Sequence, residues 1–499
     1  MNPDWKAATA VAQQIAAPWA GGPGGVFVLF DGDGVRASAA KGLANLELGV
    51  PFTQDTPSRY ASISKHFLAA TLLLEGVDLE QPLGALVHGL PEAIAAVPLA
   101  RALDMTGGLP DMMELLWQQG APFTASLSAE DIRSALNRVD RLCSEPGREM
   151  AYSNTGWRLG QVALESRTGM PYGAILRRRM LDLLEAPIAF PYDETEPVPG
   201  LATGYWLHDG AWRRGRYGMH ISASGGLAGS AAALARWAGA LMAGRPPLAG
   251  MLGRLLAPRC FADGAPSAYR LGLVETRLGA VRIAAHSGSL AGYRNHLLMV
   301  PELGVGVILL LNRDEDPLPP ALRVMAALLG EPTPDPATLR PGLYAADDGP
   351  AWAELGADAI EFMGGRETLL PDGEGYRSVP STLELSIQLG ADAIHGMIGG
   401  LPRRLRAVPA ELPLDPMLVG TWQEPTFGSE LLIRPDAIAR WPWAGGLGQE
   451  ITLTPLPGAR AIATIPHLMW KHRPCLFLEG DTLRVASHRA RFLRYRQRR

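Results

Sequence analysis

The sequence predicts an α/β (α+β) fold over residues 1–331, followed by a β-rich C-terminal third. Three observations carry that division. The first 330 residues alternate helical and strand patterns, with strands at both ends and a mainly helical middle. That is the pattern of a layered sheet with an appended helical subdomain. Residues 331–340 place Pro332, Pro334 and Pro336 at alternate positions, a stiff linker. Beyond it the pattern changes to short strands separated by Gly, Asp and Pro.

Local signals set each element. Residues 5–18 read as an opening amphipathic helix. Gly24 to Phe30 is a buried strand, Asp31-Gly32-Asp33-Gly34 a hairpin turn, and Val35 to Lys41 the second strand. A helix runs from Ser62 to about Glu75 and stops at Gly76. Residues 84–185 form helical patches broken by Gly and Pro, and residues 228–243, Ala-rich with Leu234 and Trp237, form another helix. Val281 to Ala285 and Leu297 to Asn312 read as strands, and Ala321 to Leu329 as a closing helix. In the C-terminal third, Pro341-Gly342-Leu343-Tyr344 and Val419-Gly420-Thr421-Trp422 open two similar segments. Leu405 to Val408 and Phe492 to Tyr495 close them, with a boundary at Pro409 to Pro416. The reading is two diverged antiparallel barrels of about eight strands each, over 340–410 and 417–499. A single irregular β domain is the alternative.

Composition excludes several function classes. Of 499 residues, 47% are apolar, enough for several cores and against disorder. Lys+Arg is 46 against Asp+Glu 50, so no dominant basic face is implied and no nucleic-acid partner is expected. The aliphatic runs, such as Val305 to Leu311, fall short of the ~20 residues that span a bilayer, so no membrane partner is expected. The N-terminus shows no basic region followed by an apolar core, which predicts no signal peptide. Cys143, Cys260 and Cys475 are scattered and odd in number. That argues against a disulfide framework and for a reducing cytoplasm. The histidines show no ligand spacing, so no metal and no cofactor are expected.

The candidate chemistry lies in three short motifs. Only four lysines occur, Lys6, Lys41, Lys65 and Lys471, the rest of the 46 basic residues being arginine. One of the four stands in Ser62-Ile63-Ser64-Lys65. Ser62 and Lys65 are three apart at a predicted helix N-terminus and share a face, with Ile63, Phe67 and Leu74 opposite for the core. The helix dipole favours negative charge developing on Ser62, and a desolvated lysine can act as a base. Tyr152-Ser153-Asn154 lies in a loop before a helix. Its tyrosine hydroxyl can carry a proton, and its amide can bind a carbonyl or steady the lysine. His286-Ser287-Gly288 ends a predicted strand, where Gly288 permits close substrate approach and offers a backbone N–H, with Ser289 next. Each motif alone also has a structural reading: a capping serine with a surface lysine, a core aromatic beside a turn asparagine, and a satisfied histidine.

Together the motifs resemble the serine penicillin-recognising enzymes, which include class C β-lactamases, DD-peptidases, family VIII esterases and D-aminopeptidases. Met105-Thr106-Gly107-Gly108-Leu109-Pro110 and Ser224-Gly225-Gly226-Leu227-Ala228 look like further family segments. Class C relatives carry Lys-Thr-Gly at the third motif. A histidine there, with Ser62-Ile63-Ser64-Lys65-His66-Phe67 and Gly24-Gly25-Val26, is most similar to the D-aminopeptidases. The resemblance implies a β-lactamase/DD-peptidase-like catalytic domain with two C-terminal antiparallel β-barrels. It implies Ser62 as nucleophile, Lys65 as base, Tyr152 as proton relay and Asn154 as a positioning amide. It implies His286 as a polar or positive edge, and the backbone N–H groups of Ser62 and Ser289 as an oxyanion hole worth ~3 kcal/mol per donor.

In D-aminopeptidases a loop of the last barrel restricts the site to small substrates with a free amine. The corresponding stretch here is His467-Leu468-Met469-Trp470-Lys471-His472-Arg473. It holds no carboxylate and up to four positive charges, an arrangement that repels an amine and attracts a carboxylate, and His467, Trp470 and Lys471 are its candidate substrate contacts. The alternative is a solvated basic hairpin. Trp441-Pro442-Trp443 with Gly445 and Gly446 is a second aromatic loop, and Met112, Met113 and Trp117 form a pocket wall or a helix face. The expected partner is a small peptide, amide or ester, and a homodimer is among the expected assemblies. A D-stereospecific aminopeptidase leads. A carboxylesterase, a β-lactamase/DD-carboxypeptidase-like hydrolase and a non-catalytic ligand binder on the same scaffold are the alternatives.

Overall fold

The computed structural model describes residues 2–334, 339–380, 382–442, 448–467 and 469–498. The apolar strand Gly25–Asp31 pairs with Val305–Leu311 on one side and Gly34–Lys41 on the other. They belong to a six-stranded antiparallel sheet in the order 274–278, 281–290, 293–300, 305–311, 25–31, 34–41. The N-terminal hairpin thus completes a sheet begun by the C-terminal meander. Val305–Leu311 is buried along its whole length and Gly25–Asp31 along all but its last residue. A strand covered on both faces reads as a continuous apolar run, as these two do. Helices Trp5–Ala16, Ala231–Ala243 and Leu318–Leu329 pack on this sheet.

Three elements differ from the sequence expectation for local reasons. The run Leu297 to Asn312 is two strands, Tyr293–Val300 and Val305–Leu311, turned at Gly304 with φ +64°. The helix expected from residue 228 starts at Ala231, because Ser230 caps it by accepting the Ala233 N–H at 3.1 Å. Ala228–Gly229 is instead a short strand, paired with Ser58–Arg59.

The C-terminal third forms two closed antiparallel barrels. The first runs from Gly342–Ala345 to Leu401–Ala407, and those two strands pair to close it. The second runs from Gly420–Gln423 to Arg494–Gln497, closed in the same way, with a further pairing between Gly448–Leu456 and Arg460–His467. The opening and closing segments read from the sequence are the strands that seal each barrel. One apolar cluster joins Trp352, Ile360 and Phe362 of the first barrel to Ile462, Cys475 and Phe477 of the second.

Packing divides the chain into two units. The first holds Met1–Gln81, Trp157–Arg259 and Pro266–Asp335, and the second holds Pro82–Gly156, Cys260–Ala265 and Pro336–Arg499. Residues 82–156, which lie within the first stretch of the sequence division, therefore pack with the barrels. The reason is polar as well as apolar. Glu149 is 5% exposed and accepts from Arg403 of the first barrel at 3.0 Å and from Arg491 of the second at 2.6 Å. The Met150 N–H donates to Gly399 O at 2.8 Å.

No helix among the described residues is long and apolar enough to cross a membrane. Cys143, Cys260 and Cys475 are free thiols. Among the described residues, no three His, Cys, Asp or Glu side chains are grouped to hold a metal ion.

Candidate active site

Ser62 lies in a 3₁₀ turn, Ala61–Ser64, that leads into helix Lys65–Leu74. A 3₁₀ turn superimposes residues three apart more closely than an α-helix does. Lys65 Nζ accordingly donates to Ser62 Oγ at 3.1 Å. It also donates to the Ser224 carbonyl at 2.6 Å and lies 5.9 Å from the Trp157 ring centre. Lys65 is fully buried and Ser62 partly exposed. The expected polar face opposite a core face is absent, because residues 65 to 72 are all buried. This is a central helix, not a surface one.

The turn is held from outside. Ala61 has φ +52°, a left-handed conformation that carries strain for a residue with a Cβ. The Tyr60 N–H donates to Leu227 O at 2.8 Å, and the Leu227 N–H donates to Ser64 Oγ at 3.0 Å. Ser222 and Ser224 hydroxyls meet at 2.8 Å. The Ser224 to Ala228 segment is therefore the clamp on the serine–lysine turn.

His286 and Gly288 sit inside strand Val281–Leu290, not at its end. The neighbouring strand Val274–Leu278 pairs only as far as Ala285, so the 286–290 stretch begins where that partner stops. A Cβ at Gly288 would lie 2.2 Å from Tyr60 O and 3.4 Å from the Ala61 Cβ. The close approach that this glycine permits is that of the backbone at Tyr60 and Ala61, which leads into the serine–lysine turn. Ser289 is exposed.

The imidazole of His286 is buried, and its Nδ1 is 2.6 Å from Ser287 O. Nδ1 therefore carries the hydrogen, and Nε2 accepts from the Tyr269 hydroxyl at 2.9 Å. Burial, and then the charge of Lys65, holds its pKa well below the usual histidine value. Of the two expected characters for His286, polar or positive, the neutral polar one fits this environment.

Tyr152, Ser153 and Asn154 are buried in the second unit, ahead of helix Thr155–Thr168. The Asn154 N–H donates to Asp111 Oδ2 at 2.7 Å, and Asn154 Nδ2 approaches Met113 Sδ at 3.6 Å. Asp111 also caps helix Met112–Gln118, accepting from the Met113 and Glu114 N–H groups at 3.1 and 3.0 Å. Arg489, from the second barrel, pairs with Asp111 Oδ2 at 2.8 Å and lies 5.1 Å over the Tyr152 ring. Its Nε donates to Tyr152 O at 3.3 Å. Met112 and Trp117 are buried, so that helix presents them to the core of its unit.

The stretch 467–473 is a hairpin, Arg460–His467 with Trp470–His472. Two of its four candidate charges, His472 and Arg473, already face carboxylates of the same unit. His472 Nδ1 meets Glu114 Oε1 at 3.2 Å, both side chains being 6% exposed. Burial alone would raise the Glu114 carboxyl, but His472, followed by Arg489 and His488, brings it well below the usual carboxylate range. Arg473 pairs with Glu361 at 2.8 Å and with Glu354, over the Trp352 ring. Lys471 is exposed, and Trp470 packs tilted, at 58°, against Phe123 with 4.1 Å between ring centres. The His467 side chain and Leu468 lie outside the described residues, as do Trp443, Gly445 and Gly446. Trp441 is fully buried in strand Ile438–Pro442.

The structure thus brings Ser62, Lys65 and the Ser224 carbonyl together in one unit, with His286 on the strand behind their turn. It builds Tyr152 and Asn154 into the other. Sequence reasoning missed Tyr269, Asp111, Arg489 and Glu114. Asp111 directly follows the Met105 to Pro110 family segment, which was a usable signal. Arg489 is 378 residues from Asp111 and had none.

A layered sheet with a serine–lysine turn at a central helix defines a serine penicillin-recognising enzyme. The chain belongs to the beta-lactamase family, whose model matches residues 11–330. A D-aminopeptidase of Gluconobacter oxydans is 29% identical over 325 residues, covering 64% of this chain and 62% of that protein. A D-aminopeptidase of Brucella canis is 28% identical over 330 residues, covering 65% and 63%. The matched region is thus under two thirds of either relative. Among solved structures, a D-amino acid amidase from Ochrobactrum anthropi bound to D-phenylalanine has a TM-score of 0.55 at 24% identity, over 65% of this chain and 98% of that one. An octameric penicillin-binding protein homologue from Pyrococcus abyssi has a TM-score of 0.55 at 18% identity, over 94% and 95%.

Proposed function

We propose that the protein is an acyl-serine hydrolase acting on small D-configured amides, peptides or esters, as a D-aminopeptidase. The observation that carries the hydrolase reading is the buried Lys65 Nζ at 3.1 Å from the partly exposed Ser62 Oγ. D-Configuration is supported by the named activity of the two relatives matched over residues of the same family region.

In this reading Ser62 Oγ attacks the scissile carbonyl carbon and Lys65 Nζ takes the hydroxyl proton. The tetrahedral intermediate collapses to an ester on Ser62, and the departing amine takes a proton through Tyr152. Water, activated by the same relay, then attacks the ester and releases the acid and free Ser62. Asn154 orients the substrate amide and Lys65. The backbone N–H groups of Ser62 and Ser289 receive the oxyanion. His286 contributes a neutral, hydrogen-bonded edge.

The test is release of p-nitroaniline from D-alanine p-nitroanilide beside its L enantiomer, with Ser62→Ala as the blank. D-Selective turnover that falls by about 10⁶-fold in Ser62→Ala, with the circular dichroism spectrum unchanged, is the expected result. Activity retained by the purified variant would falsify the nucleophile. L-Selective turnover would remove the D-aminopeptidase reading and leave the hydrolase.

A further inference from the structure

We propose that Arg489 is a positioning residue for Tyr152, so that the second barrel sets the geometry of the proton relay. The proposal rests on the acid–base reading of Tyr152 given above. Three contacts converge on one guanidinium. It lies 5.1 Å over the Tyr152 ring, donates from Nε to the Tyr152 carbonyl at 3.3 Å, and pairs with Asp111 Oδ2 at 2.8 Å. The same Asp111 oxygen accepts the Asn154 N–H at 2.7 Å, and the Asp111 N–H donates to the Arg489 carbonyl at 2.9 Å. The ring, the backbone and the residue two positions on are therefore all referred to one side chain.

Arg489 can serve as a reference because its own loop is fixed. Between strands Thr482–Ala486 and Arg494–Gln497, the Ser487 N–H donates to Ala490 O at 2.8 Å and the His488 N–H donates to Met363 O at 3.0 Å. Two residues on, Arg491 is paired with the buried Glu149 at 2.6 Å. A planar guanidinium can stack on a ring while its edges reach a carbonyl and a carboxylate, whereas a lysine offers one point charge. A residue serving only as an ion-pair partner for Asp111 has no need of the Tyr152 face.

A double-mutant cycle separates the two roles, because a residue acting through Tyr152 loses its effect once the tyrosine hydroxyl is gone. The cycle compares wild type, Arg489→Gln, Tyr152→Phe and the double variant. It uses D-alanine p-nitroanilide, or p-nitrophenyl acetate where the anilide is not turned over. Arg489→Gln is expected to lower kcat by about 10- to 100-fold with KM within about 2-fold, and Arg489→Lys to recover part of the loss. In the Tyr152→Phe background the same change is expected to cost less than about 3-fold. Equal losses in both backgrounds overturn the proposal. Unchanged turnover in Tyr152→Phe, or no turnover of either substrate by wild type, overturns the reading of Tyr152 and the proposal with it. If Arg489→Gln does not fold, Arg489→Lys takes its place in the cycle. Misfolding of both marks the residue as structural and also overturns the proposal.

Discussion

Ser62 and Lys65 are three residues apart, and a single 3₁₀ turn brings Lys65 Nζ within 3.1 Å of Ser62 Oγ. Asn154 is pinned by Asp111, 43 residues away, and Tyr152 by Arg489, 337 residues away. The first pair is thus local geometry, trimmed by long-range clamps within its own unit, while the second pair is held by contacts distant in sequence within the other unit. The local spacing needs only the turn and the Ser224 to Leu227 clamp of its own unit. The contacts of Arg489 with Tyr152 and Asp111 exist only while the second barrel is folded, which gives that barrel a structural role beyond any contact with substrate.

The strongest way to break that contrast is Asp111→Ala. It removes a helix cap and leaves the Arg489 charge buried without this carboxylate, an effect of about 3–5 kcal/mol. A shift of the urea midpoint, seen first by hydrogen exchange in the second unit, is the expected outcome. Equal loss of protection around Ser62 would show that the two halves are not independent in this sense. Gly288→Ala tests the local half from outside. Its Cβ would meet Tyr60 O at 2.2 Å, so the backbone leading into the serine–lysine turn must shift. Destabilisation of about 1–3 kcal/mol with loss of Ser62 labelling by a fluorophosphonate is expected. Normal labelling would mean that the turn tolerates displacement.

Acid separates the units by the pH at which their buried groups begin to cost stability. His66, His286 and His296, all in the first unit, are buried and neutral. Burial pushes His66 down to about 3 and His296 to about 4, and burial with Lys65 pushes His286 well below its usual value. Above about pH 6.5 these groups cost nothing. As pH falls below it the unfolded chain takes up protons that the folded unit cannot, and stability falls by up to about 1.4 kcal/mol per pH unit for each. The second unit has one such group in His488, pushed by burial to about 4. The depressed Glu114 contributes stability there that is lost only below the unfolded carboxyl value, about pH 4.3. Hydrogen exchange between pH 7.5 and 5 should therefore loosen the first unit before the second, and the reverse order would refute the assignment. The smallest effect belongs to Lys471→Ala. An exposed lysine should change stability by less than about 0.5 kcal/mol. A rise in KM above about 3-fold for the anilide would identify the hairpin as part of the substrate site.

The motifs were legible because they are short. Ser62-x-x-Lys65, the glycine stop at Gly76 and the strand alternation each need only a few neighbouring residues to be recognised. The seams of the barrels were legible too, since Gly342–Ala345 and Gly420–Gln423 open them with similar composition. Charge read along the chain was less informative. His472 and Arg473 look like free positive charge in sequence, yet Glu114, Glu354 and Glu361 meet them from distant segments.

By itself the sequence determined the serine–lysine turn, because it follows from spacing over a few residues, while the family and the paired barrels were read from the resemblance of its short motifs to known enzymes. The tertiary structure decided what Gly288 makes room for, that His286 is neutral, and what holds Tyr152. Those outcomes depend on burial and on partners such as Asp111 and Arg489, 378 residues apart, and no local pattern records a pair that only the folded chain brings together.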